Sequence, residues 1–191
     1  MAQPVYLRIA DDLRRRIVEG RFTRSWYRES RGGSPFRADM ESQGRTGSWR
    51  ASSETATAPP AIAERLGVPE GAEVMRTRYT FLADGEPAML STSWEPVDIT
   101  RGTPIMLPEE GPYAGAGVVA RMRAIGIEVE LATEVVTARA ILAEEAALLD
   151  EPIGTIVMVI QRTYSGERPV ETADIIAPVD RYEVAYTIPV D

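Results

Sequence analysis

The chain has no cysteine, no histidine and no lysine among its 191 residues. Without cysteine there is no disulfide framework and no thiol nucleophile. Without histidine there is no imidazole acid or base, and the usual zinc sites lose both preferred ligands. Carboxylates could still hold a metal, but no ligand spacing of the EF-hand kind is present, so neither a metal nor another cofactor is expected. Any chemistry would fall to Asp, Glu, Arg, Ser or Tyr, and no pair of these stands out as a tuned acid and base. A run of the roughly 20 apolar residues that a bilayer crossing requires is also missing. The opening MAQPVYLRIADD carries acids early and has no apolar h-region, so the reading is a soluble, cytoplasmic protein without a secretory leader.

What is present is unevenly distributed. The formal charge is -8, yet residues 1–50 carry eleven Arg against six acids and residues 51–191 carry ten Arg against twenty-three acids. A basic front attracts a phosphate backbone or is simply a solvated arm; the acidic body would be repelled by DNA and suits a small ligand or a protein partner.

Residues 4–19 place Tyr6, Ile9, Ala10, Leu13, Ile17 and Val18 at the spacing of an amphipathic helix stopped by Gly20. Arg14, Arg15 and Arg16 lie on and beside its polar face. From Thr23 to about Thr57 the helical period is lost, apart from a short helix capped by Ser34-Pro35, with Phe36 and Met40 on one face and Gly44 as its stop. A first strand is expected near residues 48–55. Pro60–Leu66 reads as a helix, and residues 73–82 and 87–94 as a hairpin turning on Asp84-Gly85. A helix at 117–125, a strand over 127–140, a helix at 142–149 and strands at 155–164, 169–176 and 181–189 complete the pattern. Val74, Val135, Val157 and Val159 are expected in the core. The class is α+β with an antiparallel sheet.

Pro69, Gly71, Val74 and Met75 recur as Pro152, Gly154, Val157 and Met158, a constant displacement of 83 residues. In both copies a helix precedes and a polar-aromatic strand follows, so the sheet is expected to be built twice.

YLRIADDLRRRIVEGRF resembles the first helix of the winged-helix domain of GntR-type regulators. SPFRADMESQGR, APPAIAERLGVPEGAEVMRTRYTFLADGEPAMLSTSW, ARAILAEEAALL and VETADIIAPVDRY resemble, in order, the UTRA effector domain of the HutC branch. The resemblance implies a chorismate-lyase-like α+β fold with an internal pseudo-repeat, a homodimer, and a transcription factor, of repressor type, whose hold on DNA responds to a small molecule. A complete reader needs about 40 further residues for two more helices and a wing, and their pattern is not found after Gly20. The expected division is therefore 1–22, the first helix of a winged-helix domain; 23–33, an Arg/Ser/Gly-rich linker; and 34–191, the UTRA domain. Arg14–Arg16 could then supply phosphate attraction without base readout. Two other readings stand beside the regulator: a sensing and dimerisation module without DNA binding, and a lyase, because the fold family includes one.

Carried over by position, the family's ligand arginines fall on Tyr79 and Phe81, its acidic position on Ser91, and its helix-start Ser and Tyr near Ala116 and Val118. The replacements argue against a sugar phosphate and for a less charged, cyclic effector. The expected effector-binding set is Arg78, Tyr79, Phe81, Ser91, Ser93, Arg162 and Glu171. Arg78 and Arg162 clamp an acidic ligand in one reading and pair with Glu171 or Glu134 in the other. The Asp180-Arg181-Tyr182 motif reads as structural, and the glycines of GPYAGAG could turn backbone N–H groups toward an anion.

Overall fold

In the computed structural model, residues 34–185 and the backbone of Phe22–Ser25 are described. The segments carrying the expected N-terminal helix, Arg14–Arg16, the remainder of the expected linker and the last residues lie outside them. In chain order the elements are β1 (Phe22–Ser25), α1 (Pro35–Ser42), β2 (Gly47–Thr57), α2 (Pro60–Leu66), β3 (Glu73–Ala83), β4 (Glu86–Pro96), α3 (Val97–Thr100), a 3-10 turn (Gly111–Tyr113), α4 (Val118–Ala124), β5 (Leu131–Ala140), α5 (Ala143–Leu149), β6 (Ile156–Ser165), β7 (Pro169–Pro178) and β8 (Tyr182–Ala185). Six strands form one antiparallel sheet in the order β2-β3-β4-β7-β6-β5, and β1 pairs with β8 in parallel. The fold is thus α+β, as the strand and turn spacing indicates. No helix among the described residues is long and apolar enough to cross a membrane.

The repeat extends well beyond the sequence motif. Strand, helix and hairpin occur twice, β2-α2-β3-β4 and β5-α5-β6-β7, and displacing α2 by 83 residues lands on both ends of α5. The helices end alike, on Gly67 and Asp150 in left-handed conformation. Gly71 (φ 75°) and Gly154 (φ 96°) sit at matching turns that favour glycine. Both hairpins carry a register shift at the matching place, after Phe81 and after Tyr164. The first hairpin turns on Asp84 (φ 53°) and Gly85 (φ 90°), the two positive φ values of a type I′ connection. The Asp84 carboxylate accepts from the Thr46 N–H and from Arg45, both at 2.8 Å.

The halves join along β4 and β7, where Leu90 to Trp94 face Ile176 to Thr172. One sheet face is covered by α2 and α5. Ala58, Ala63, Leu66, Val74 and Trp94 under α2 match Ile141, Ala146, Leu149, Val157 and Ile176 under α5. On the other face α1 inserts Phe36 and Met40 among Met89, Ile160, Ile175 and Tyr182, and α4 packs Met122 against Ile105, Tyr164 and Val170.

Three sequence expectations change. Val135 is 53% exposed rather than core, because β5 is an edge strand and α5 covers only its far end; Val74 and Val157 are fully buried and Val159 partly so. The strand expected over 127–140 begins only at Leu131, since Ile127 and Val129 pack against Tyr164 and Met122 instead of joining a ladder. Phe22–Ser25, across the expected helix and linker boundary, is a strand on β8, too short to show a period of its own.

Leu66 and Leu149 are each 1% exposed at equivalent places. Leu66→Ala and Leu149→Ala are each expected to lower the unfolding free energy by about 2–5 kcal/mol, and the double variant by their sum to within about 0.5 kcal/mol, as measured by urea denaturation. A large deviation from additivity would show that the two small cores are one.

Candidate binding cleft

The face opposite α2 and α5 is not filled between α1 and α4. Alternation along the strands sends Tyr79 and Phe81 of β3, Ser91, Ser93 and Glu95 of β4, Arg162 and Tyr164 of β6 and Glu171 of β7 to this face. Trp49 of β2, Glu109 and the Gly115–Val118 turn close its far wall, and Ser34, Pro35 and Phe36 its near one. The larger part holds about 570 Å³ of empty volume, open to solvent.

One wall is aromatic. Tyr79 and Phe81 stack at 5.4 Å with 11° between their planes, Phe36 lies 4.9 Å from Phe81, and Trp49 lies 6.2 Å away. Burial, with the charges of Glu109 and Glu95, pushes the Tyr79 phenol well above its usual range, so it is a neutral hydroxyl under ordinary conditions. Ser91 and Ser93 are buried on the adjacent strand, and Ala173, fully buried, lies between Ser93 and Arg162 in register.

The polar floor divides into satisfied and open charge. Arg121 of α4 is 2% exposed; its guanidinium donates to both Glu95 oxygens at 2.7 and 2.8 Å and to the Ile105 carbonyl at 2.7 Å. Burial works against the Arg121 charge, and the Glu95 carboxylate overcomes that and holds it charged. This pair fixes a seven-residue helix to the sheet. Arg162 has no carboxylate within ion-pair distance among the described residues. Its guanidinium lies 4.7 Å above the Tyr164 ring. Burial opposes its charge as well, and Tyr164, Glu171 and Glu134 together favour it more. Glu171 is buried at the rear of the cleft, opposite Tyr164 in register.

Six of the seven residues expected around an effector, Tyr79, Phe81, Ser91, Ser93, Arg162 and Glu171, line this one cleft. Arg78 does not. It points to the other sheet face, exposed, and donates to Glu54 at 2.8 Å, with Arg76 on the same carboxylate oxygen. A clamp of Arg78 with Arg162 is thus ruled out by strand alternation, and the expected pairing of Arg78 with Glu171 or Glu134 gives way to Glu54, its diagonal neighbour on β2. In the GPYAGAG loop the Gly115 N–H meets an anion of the protein's own: Glu109 Oε2 accepts from it at 3.2 Å and from the Trp49 indole at 2.9 Å. Ala116 and Val118 do reach the cleft wall. Arg181 and Tyr182 are structural neighbours of Glu151 and of the α1 core. Arg121, Glu95, Glu109 and Trp49 escaped sequence reasoning. One of two Arg in a short helix and a Glu at the end of a strand carry no pattern, and only the fold brings them together. Among the described residues no group of His, Cys, Asp and Glu is arranged to hold a metal.

Residues 42–183 match the model of the UTRA domain. The chain belongs to the UTRA-domain family. It is 32% identical over 154 residues to an uncharacterized HTH-type transcriptional regulator of Streptomyces coelicolor, an alignment covering 78% of this chain and 56% of that protein. The chain therefore spans little more than half the length of this curated relative. A crystal structure of a candidate GntR-family transcriptional regulator superposes with a TM-score of 0.82 at 52% identity, covering 90% of this chain and 72% of that one. The effector domain of PhnF from Mycobacterium smegmatis superposes with a TM-score of 0.71 over 83% of this chain and 96% of its own, at 22% identity, a likeness of fold.

Removing one member of the Arg121–Glu95 pair leaves a buried charge unmatched. Glu95→Leu is expected to cost about 3–5 kcal/mol of stability, whereas Glu95→Leu with Arg121→Met recovers most of it. Chemical denaturation of both variants checks this, and a double variant as unstable as the single one would contradict it.

Proposed function

We propose that the chain is the effector-responsive part of a GntR-type transcriptional regulator, acting as a repressor, whose UTRA cleft binds a small molecule. The observation that carries the reading is the solvent-open cleft: a wall of stacked aromatics, two buried serine hydroxyls and a guanidinium with no ion-pair partner among the described residues converge on one space within a family whose relatives bear regulator names. Binding suits the cleft better than turnover. Its buried Glu95 and Arg121 saturate one another, which leaves neither free to move a proton. That the sequence pattern of the reader's further helices and wing is not found after Gly20 favours a second reading, a sensing and dimerisation module without DNA contact of its own.

An electrophoretic shift with the DNA upstream of the protein's own gene separates the two. A complex that persists between about 50 and 200 mM salt and loosens with metabolite supports the regulator. A complex lost over that range, as pure phosphate attraction would be, supports the module.

The homodimer has a physical place in this reading. Of the two sheet edges, β2 presents Ser48, Ser52 and Ser53 with Arg50 and Glu54, whereas the equivalent positions of β5 hold Leu131, Val135 and Val136, exposed by 65%, 53% and 39%. An apolar edge strand is a template for pairing. A second β5 fits it: antiparallel registers centred on Val135 or Val136 set these valines against themselves and oppose neither Glu134 to Glu134 nor Arg139 to Arg139. Val135→Lys with Val136→Lys is expected to convert a dimer to a monomer in light scattering with little change in monomer stability, and Ser52→Lys to leave the dimer intact. A wild-type monomer at micromolar concentration would refute the assignment.

A further inference from the structure

Resting on the reading of the cleft as an effector site, we infer that its ligand is a planar aromatic monocarboxylate, held through the carboxylate by Arg162. Four observations lead there. First, charge: Arg121 is cancelled by Glu95 through two hydrogen bonds, which leaves Arg162 as the cleft cation with no ion-pair partner among the described residues. Its guanidinium lies over the Tyr164 ring and lines the cleft, where the planar fork offers donors to an incoming group. Secondly, position: Arg162 borders both lobes of the cleft, together with Phe81 and Ser91, and Ser93 lines the larger lobe with it.

Thirdly, the wall that the rest of the ligand would meet is the stacked Tyr79 and Phe81, flanked by Trp49 and Phe36; such a surface matches a flat ring. Fourthly, the same cleft carries Glu95, Glu109 and Glu171. With Glu95 matched by Arg121, one cation stands beside Glu109 and Glu171, so a monoanion is the most the cleft accommodates and a phosphate dianion would bring a second charge with nothing to neutralise it. The Gly115 amide that could have helped a phosphate is already donated to Glu109. Tyr164 beneath the guanidinium holds the fork flat and charged, an orientation that a carboxylate can meet edge-on with two parallel hydrogen bonds.

The test uses the purified chain in thermal-shift and calorimetric titrations with four probes: benzoate, indole-3-acetate, the uncharged benzamide, and glucosamine 6-phosphate. Indole-3-acetate or benzoate is expected to raise the melting temperature and benzamide to bind at least tenfold more weakly. Arg162→Gln is expected to remove that preference for charge, and Arg162→Lys to restore part of it. The melting temperature of each unliganded variant shows that it is folded. Unchanged carboxylate binding in a folded Arg162→Gln variant overturns the assignment. Stabilisation by the sugar phosphate alone overturns the ligand class while leaving the effector cleft in place. If no probe of any class binds, the ligand class falls and the shift assay on DNA with a metabolite extract decides separately on the cleft.

Discussion

The backbone ladder between β4 and β7 is the constraint on which the rest of the molecule depends. Each half is one strand, one helix and one hairpin, close to the smallest unit of sheet that can be stable, since a hairpin alone is marginal. Pairing of Leu90–Trp94 with Thr172–Ile176 joins the halves into a six-stranded sheet and brings their helices side by side on one face. Thr92 pairs with Asp174, which is its own repeat counterpart once the return strands' one-residue shorter displacement is counted. The pseudo-two-fold axis therefore passes through that pair. Arg65 from α2 reaches across to Asp174 at 2.7 Å and ties the first half's helix to the second half's central strand.

That ladder also decides what the other face can be. Since both halves offer only short helices, α1 and α4 cover the ends of the second face and leave its centre open. Holding α4 costs the sequence a buried ion pair where an apolar contact could have served. The pair is held by two hydrogen bonds to Glu95 and one to the Ile105 carbonyl, which offset the desolvation of both charges. The outcome is a rim around a cleft lined by aromatic rings, serine hydroxyls and the Arg162 guanidinium.

Much of this was legible in the sequence, and what was not has a physical cause. The hairpin followed from Asp84-Gly85 because few dipeptides accept two positive φ values in succession. The helices around residues 60–66 and 143–149 followed from their stops, and the doubled sheet from four residues at one displacement. Site residues were partly legible through the resemblance, which pointed at positions 79, 81 and 91. The failure at Arg78 is instructive, because a strand's period of two puts neighbouring residues on opposite faces, so nearness in sequence to Tyr79 argued against it. Val135 failed for another reason: apolar character marks burial, but it does not say whether the cover is this chain or another. The Arg121–Glu95 pair was invisible because a contact across 26 residues of loop and helix leaves no local pattern.

The repeat itself indicates where function lies. Helix-covered positions keep their character in both halves: Ala63 and Ala146, Leu66 and Leu149, Val74 and Val157 are matched pairs packed in the same way. Across the sheet the same displacement pairs Tyr79 with Arg162, Phe81 with Tyr164 and Trp49 with Ala132. Return-strand equivalents pair Met89 with Glu171 and Ser91 with Ala173. A scaffold requirement acts on both copies alike, because both must bury a helix on the same pleat. At these cleft-facing positions the two halves differ in a way that suits the proposed ligand, an asymmetric molecule lying across the axis. One half supplies the ring-stacking wall and the hydroxyls, the other supplies the cation, and neither half alone could hold such a ligand at both ends.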